Sequence, residues 1–262
     1  MTNAQRAPID GGRLSADLSG SRWRSIEVVA ETGSTNKDLV AAAEPDRVLI
    51  AESQTDGRGR LGRHWETPAG TQIAVSVSVS VPPTRTADLG WVPLAAGLAV
   101  HDTVSEVSGG VATAQLKWPN DVLIQDRKLA GILAELALST SPVAVVGVGL
   151  NVAFEESELP VPTATSLLLA AGVGDRQAVA PVLLRNLDRW LTAWEGDLPV
   201  VIEAYRRRCD TVGRRVRVEL PGAAELLGTA VTVDEQGRVV VRDDAGVEHA
   251  VAAGDVTHLR TV

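Results

Sequence analysis

Two short segments hold most of the reactive chemistry that this sequence offers: GRGRLGRHW at 57–65 and KWPND at 117–121. The first sets Arg58, Arg60 and Arg63 among Gly57, Gly59 and Gly62. Guanidinium groups grip phosphates and carboxylates bidentately, and the glycines free the backbone to take positive φ and fold over a ligand. The second places Lys117 at the centre of an apolar stretch, TAQLKWPNDVLI, followed at once by a polar Pro-Asn-Asp turn. Both segments offer anion binding. Gly57, Gly59 and Gly62 also satisfy G-x-G-x-x-G, but RHWETPAG follows instead of an amphipathic helix, so a dinucleotide fold is not indicated. A basic surface turn is the plain alternative for 57–65. Three arginines on one glycine-hinged segment of an acidic protein favour a functional reading.

The elements that must position these residues read as follows. IEVVAE (26–31) and VLIAES (48–53) look like strands, separated by GSTN (33–36) and a short helix with Ser34 or Thr35 as its N-cap. TQIAVSVSVSV (71–81) alternates with period two, placing Ile73, Val75, Val77, Val79 and Val81 on one face and small residues on the other. Residues 89–107 have helical spacing. Strands are expected at 113–124, 129–138 and 143–152 as antiparallel neighbours, then helices at 177–195 and 199–209. After Gly213 come short β segments with turns at Pro221-Gly222, Gln236-Gly237 and Ala245-Gly246, the pattern of a small SH3-like barrel beginning at 212. Residues 1–24 are polar and read as a flexible lead-in.

The chain has 262 residues, net charge −8, 45% hydrophobic and 22% charged residues, which suits one substantial soluble domain plus a small one. The acidic balance argues against a nucleic-acid partner. Cys209 is the lone cysteine, and no Cys/His cluster suggests zinc. With neither a signal-peptide core nor an 18-residue apolar run, no membrane association is expected and a cytoplasmic location is the default.

Taken together and in order, these motifs resemble the biotin protein ligases. GRGRLGRHW, with its lead-in QTDGRGR, is similar to the family's biotin- and adenylate-binding loop, GSTN to its biotin-contacting turn, and KWPND to its lysine motif. KLAGIL (128–133), VGVGLN (146–151) and, more weakly, ATSL (164–167) match further segments, so the resemblance runs from about residue 26 to the end. It implies an α+β fold, with a mixed, mainly antiparallel sheet flanked by helices as catalytic domain over 25–211 and an SH3-like domain over 212–262. It also implies an ATP-dependent reaction giving biotinoyl-5′-AMP, then transfer to a lysine of a biotin carboxyl carrier protein or domain of acyl-CoA carboxylases.

A carboxylate approaching the α-phosphate is an encounter of two anions. The resemblance gives their neutralisation to Lys117 and Arg60 as catalytic residues. It places Ser34, Thr35, Asn36, Gln54, Gly57, Arg58, Gly59, Arg60, Trp65, Lys117, Gly131, Ile132 and Ala134 around biotin. Around ATP it places Arg58, Arg60, Arg63, Trp65, Asn120, Asp121, Lys128 and Asn151. Magnesium is expected on the ATP phosphates, with Asp121 either a ligand or a turn residue. Lys117 as a snorkelling lysine, Asn151 as a strand-ending residue and Trp65 as core are the structural alternatives. His64 has no assigned role, and His101, His249 and His258 read as structural or surface residues. Some relatives begin with a helix-turn-helix domain. The roughly 25 residues ahead of the catalytic region here are too few and not basic, so the monofunctional form is expected. A lipoate or octanoate ligase of the same fold and a non-catalytic biotin sensor are the competing functions. A homodimer is left open, with 71–81 and the three-stranded meander as the segments that would extend a sheet across a two-fold axis.

Overall fold

A computed structural model describes residues 6–63, 65, 68–139, 141–220, 225–252 and 254–259. Residues 6–24 are not the flexible lead-in expected from their polarity. Asp10 caps helix α1 (Gly11–Asp17) by accepting from the amides of Gly12 and Arg13. Ile9, Leu14, Leu18 and Trp23 are buried in the main core. The buried Arg176 guanidinium pairs with Glu52 at 2.7 Å and donates to the Ala7 carbonyl, while the Ile9 amide donates to Glu52. A few apolar anchors and one buried ion pair hold a segment whose average composition looks loose.

Strand β1 (Ser25–Thr32) crosses through helix α2 (Thr35–Ala42) to β2 (Arg47–Gln54), its parallel neighbour. Ser34 is the cap of α2, its side chain accepting from the Lys37 amide. β3 (Gln72–Ser80) follows, then helix α3 (Val92–Val107), β4 (Gln115–Lys117), β5 (Asp121–Ile124), β6 (Arg127–Ala137) and β7 (Val143–Asn151). These seven strands form one mixed sheet in the order β1-β2-β3-β7-β6-β5-β4, antiparallel except at β1–β2. Helices α4 (Leu167–Ala171), α5 (Arg176–Gly196) and α6 (Leu198–Arg208) complete this part, with α3 packed on α5, α6 and strands β4 to β7.

β3 explains its own alternation. Its valines face the helical core, while Ser76 and Ser78 face α2. Ser76 Oγ lies 2.7 Å from Thr35 Oγ1 and 2.6 Å from Asn36 Oδ1, and Ser78 Oγ donates to the Glu44 carbonyl. Larger side chains would keep α2 off the sheet. β3 pairs on both sides, with β2 and with β7, so 71–81 has no free edge and cannot extend the sheet to another molecule.

Three expectations shift. The strand expected over 113–124 divides into β4 and β5 around the Pro119 turn, since proline cannot donate to a ladder. The helix expected from 89 starts at Val92; Pro83–Trp91 is a 3-10 helix in which Gly90 packs against the Gln236 carbonyl, 2.5 Å from where a Cβ would stand. The short α4, capped by Ser166, is additional. The β5–β6 turn has Gln125 and Asp126 both at positive φ, as a tight hairpin needs.

The C-terminal part contains β8 (Arg215–Glu219), β9 (Glu225–Val233), β10 (Val239–Arg242), β11 (Glu248–Val251) and β12 (Asp255–His258). They make a five-stranded antiparallel sheet in the order β11-β10-β9-β8-β12. Gly237 and Gly246 take positive φ in the expected turns; the turn at Pro221-Gly222 lies outside the described residues. The barrel is not closed, because β11 and β12 do not pair among the described residues. Among these residues no helix is long and apolar enough to cross a membrane.

Candidate functional site

A cavity of about 410 Å³ opens beside the start of α2, over the middle of β6 and β7. Of the residues singled out from sequence, Ser34, Thr35, Asn36, Gln54, Arg58, Gly59, Arg60, Arg63, Trp65, Asn120, Asp121, Lys128, Gly131, Ile132 and Asn151 line it. Gly57, Lys117 and Ala134 do not. Gly57 supports the loop instead, its carbonyl accepting from the Trp65 amide, and a Cβ there would collide with the Trp65 carbonyl. Ala134 lines a neighbouring cavity of about 390 Å³ between the KWPND turn and the β9–β10 turn.

The floor is a closed polar network. Gln54 Oε1 accepts from the Thr35 amide at 2.9 Å and the Thr35 hydroxyl at 3.2 Å. Asn36 Nδ2 donates to the Leu133 carbonyl at 3.1 Å and to Glu135 at 2.9 Å. Two glycines on β7 make room for this arrangement. A Cβ on Gly147 would collide with the Asn36 amide, and one on Gly149 would stand 2.5 Å from the Trp65 indole. Trp65 itself lies across Gly131 and Gly149, with its indole N–H donated to Gln72 at 2.8 Å and the Lys128 ammonium 5.4 Å from its ring.

The rim is cationic, and its charges fall into two sets. Arg58 pairs with Glu135 at 3.6 Å, Lys128 with Asp121 at 2.6 Å, and Arg63 with Asp255 of β12. Arg60 has no carboxylate within ion-pair reach among the described residues; it donates to Asn120 Oδ1 and to the Gly254 carbonyl, each at 3.3 Å. Burial, together with Arg63, pulls its pKa below the usual range, against the pull of Asp121. Lys117 is half-buried beside the cavity, its backbone opposite Asp121 in the β4–β5 hairpin. Its ammonium makes no ion pair or hydrogen bond among the described residues. Burial lowers its pKa, Asp121 opposes that, and Lys128 and Arg63 add to it.

Asn120 is held at both ends of its peptide, its side chain donating to the Ile132 carbonyl and its own carbonyl accepting from the Ile132 amide. Asn151 donates to the Thr165 carbonyl, so it ties the strap at 160–165 against the cavity. His64 lies outside the described residues. No cluster of three or more metal-ligating side chains occurs among the described residues, and the Asp121 carboxylate is engaged by Lys128.

Several lining residues were not singled out from sequence: Gln72, Ala74, Leu133, Gly147, Gly149, Pro160, Val161 and Asp255. Gly147 and Gly149 did leave a signal. Two glycines two apart inside an apolar strand mark one face that something approaches closely. Asp255 left none, because it reaches the cavity from a sheet more than a hundred residues away in the chain.

The sequence model of the Biotin/lipoate A/B protein ligase family matches residues 25–151, and that of the Biotin protein ligase C terminal domain matches residues 211–259. The chain is 47% identical to the biotin–[acetyl-CoA-carboxylase] ligase of Mycobacterium tuberculosis, over 97% of each chain. It is 29% identical to the bifunctional ligase/repressor BirA of Escherichia coli, over 90% of this chain and 74% of that one. Its fold is similar to that of biotin protein ligase from Aquifex aeolicus in complex with biotin and ATP, with a TM-score of 0.75 and 26% identity, covering 91% of this chain and all of the other. The Leishmania major biotin protein ligase in complex with biotinyl-5-AMP superposes with a TM-score of 0.57 at 25% identity, covering 88% of this chain and 99% of the other.

Proposed function

The chain belongs to the biotin/lipoate A/B protein ligase family, and from that premise we propose how its own residues carry out an ATP-dependent biotin–protein ligase reaction. Biotin and ATP condense to biotinoyl-5′-AMP with release of pyrophosphate. The ε-amine of one lysine on a biotin carboxyl carrier domain of an acyl-CoA carboxylase then attacks the acyl carbon, and AMP leaves.

One observation carries the assignment of roles. Among the cations at the cavity rim and beside it, Arg58, Arg63 and Lys128 already have carboxylate partners, whereas Arg60 at the rim and Lys117 beside it have none among the described residues. A half-buried cation without a counter-ion is costly, and the natural occupant of such a position is an anionic ligand. Lys117 meets the biotin carboxylate and Arg60 the α-phosphate, so the two repelling anions are neutralised as the carboxylate oxygen attacks phosphorus. The biotin ring system lies on the floor between Ser34, Thr35, Asn36 and Gln54 on one side and the Gly131–Ile132 backbone on the other. Trp65 covers it. Asn120, Asn151 and Lys128 face the nucleotide.

Magnesium carried by the ATP phosphates would supply charge screening for the leaving pyrophosphate. The Asp121 carboxylate, paired with Lys128, is a poor candidate for a ligand of its own. The decisive experiment incubates the protein with biotin, Mg-ATP and a purified carrier domain, then weighs the carrier by mass spectrometry. One added biotinoyl group, dependent on ATP and on the acceptor lysine, is expected. No mass change, or equal activity with lipoate in ATP–pyrophosphate exchange, would overturn the reading.

A further inference from the structure

We propose that Thr211 and His258 are positioning residues for Lys117, fixing its backbone from the C-terminal side of the molecule. The inference rests on the reading of Lys117 given above and extends it to residues from another part of the chain. Because the Lys117 ammonium has no polar partner among the described residues, its location is set by backbone contacts and packing alone. β4 is an edge strand only three residues long, paired on one side with β5. On its other side the link leaving α6 runs alongside it. Cys209 bridges to Leu116 in parallel fashion, and the Asp210 amide donates to the Leu116 carbonyl at 2.9 Å. The Trp118 amide donates to the Thr211 hydroxyl at 3.0 Å. Lys117 is therefore clamped at the residue before it and the residue after it.

The second clamp depends on a side chain, and that side chain has one proton to give. Thr211 is fully buried, and its hydroxyl lies 3.0 Å from His258 Nε2 at the end of β12. The Thr211 oxygen accepts from Trp118 and also shares a hydrogen bond with Nε2, whose direction follows the imidazole tautomer. Nδ1 faces Asp210, 3.9 Å away. Burial holds His258 neutral, with Lys117 and Arg214 adding to that effect and Asp210 and Asp126 opposing it. The chain of contacts runs from His258 through Thr211 to the Trp118 amide, and so to the peptide that carries Lys117.

Thr211→Val keeps the shape of the side chain and removes the hydroxyl. In biotin-dependent ATP–pyrophosphate exchange it should lower kcat by roughly 10- to 100-fold, the usual effect of moving a reacting group by about an ångström. KM for biotin should stay within about threefold, because the floor is untouched. Thr211→Ser should restore kcat. His258→Leu should lower kcat and His258→Gln, which keeps an acceptor, should restore most of it. If Thr211→Val fails to fold, the two histidine variants carry the test. Combined with Lys117→Ala, either damaging variant should cause no further loss. Wild-type kcat in both Thr211→Val and His258→Leu, a loss confined to KM, or losses that multiply with that of Lys117→Ala would overturn the proposal. If Lys117→Ala itself exchanges normally, the assignment of Lys117 fails instead.

Discussion

On the floor of the cavity, Thr35, Asn36, Gln54 and Ser76 satisfy one another within 2.6–3.2 Å, while on the rim Arg60 holds two neutral oxygens at 3.3 Å and Lys117 holds nothing polar among the described residues. Both regions are rich in polar atoms, yet only the floor is internally complete. Thr35, Asn36, Gln54 and Ser76 are neutral, so mutual hydrogen bonding costs no later rearrangement when an uncharged ring system settles there. On the proposed reading, Arg60 and Lys117 must be available when two acids arrive, and pairing them in advance would blunt them. A ligand meets a finished surface on one side and an unfinished one on the other.

The sharpest way to break that contrast is Lys117→Ala. It should lower biotin-dependent ATP–pyrophosphate exchange by roughly 10²- to 10³-fold while circular dichroism shows an intact fold. Near-normal exchange would mean that the rim's free charge is not used. Next comes Arg60→Gly, where the expected loss lies in retention. Biotinoyl-5′-AMP should dissociate about tenfold or more faster, measured by release of labelled adenylate, since a charge-assisted bond is worth roughly 1.5–3 kcal/mol. An unchanged release rate would remove Arg60 from the phosphate. The floor is probed by Gly149→Ala, whose methyl would stand 2.5 Å from the Trp65 indole. Displacing Trp65 should raise KM for biotin by roughly tenfold, on the order of 1.4 kcal/mol, with a smaller change in KM for ATP. A larger effect on ATP would reverse the assignment of the two sides.

Smaller effects sharpen the comparison further. Limited proteolysis within 57–63 should slow when biotin and ATP are both present, because an anion replaces the loop's thin contacts with charge-assisted ones. The smallest effect concerns His258, held at about 4 against an ordinary 6.5 by burial and by Lys117 and Arg214, with Asp210 and Asp126 opposing. The unfolded chain binds the extra proton first, so stability is full above 6.5 and falls as pH drops toward 4. The slope is at most about 1.4 kcal/mol per pH unit for one proton. Urea midpoints across that interval should fall less steeply in His258→Gln.

Much of the site was legible because its residue types are unusual for their settings. Three arginines among glycines and a lysine inside an apolar run stand out in any acidic chain. The cap at Ser34, the alternation of β3 and the five C-terminal strands follow from local spacing alone. What stayed hidden depends on contacts between distant segments. Trp23 and Leu14 look like stray apolar residues until Arg176 and Glu52 draw the N-terminal segment into the core. Asp255 could not be linked with Arg63 by any spacing rule, and the 113–124 run read as one strand because its apolar pattern continues through the turn. His258 reads from sequence as a structural or surface residue, since nothing local reveals the threonine it faces.

The clamp at residues 209–211 reaches beyond catalysis. By lying along β4 it shields one border of the seven-stranded sheet, so that among the described residues β1 is the flank left open for a foreign strand to add. A sheet that can recruit on one flank only is able to join a single mate and then stop, so growth into fibrils through this sheet is closed off by construction.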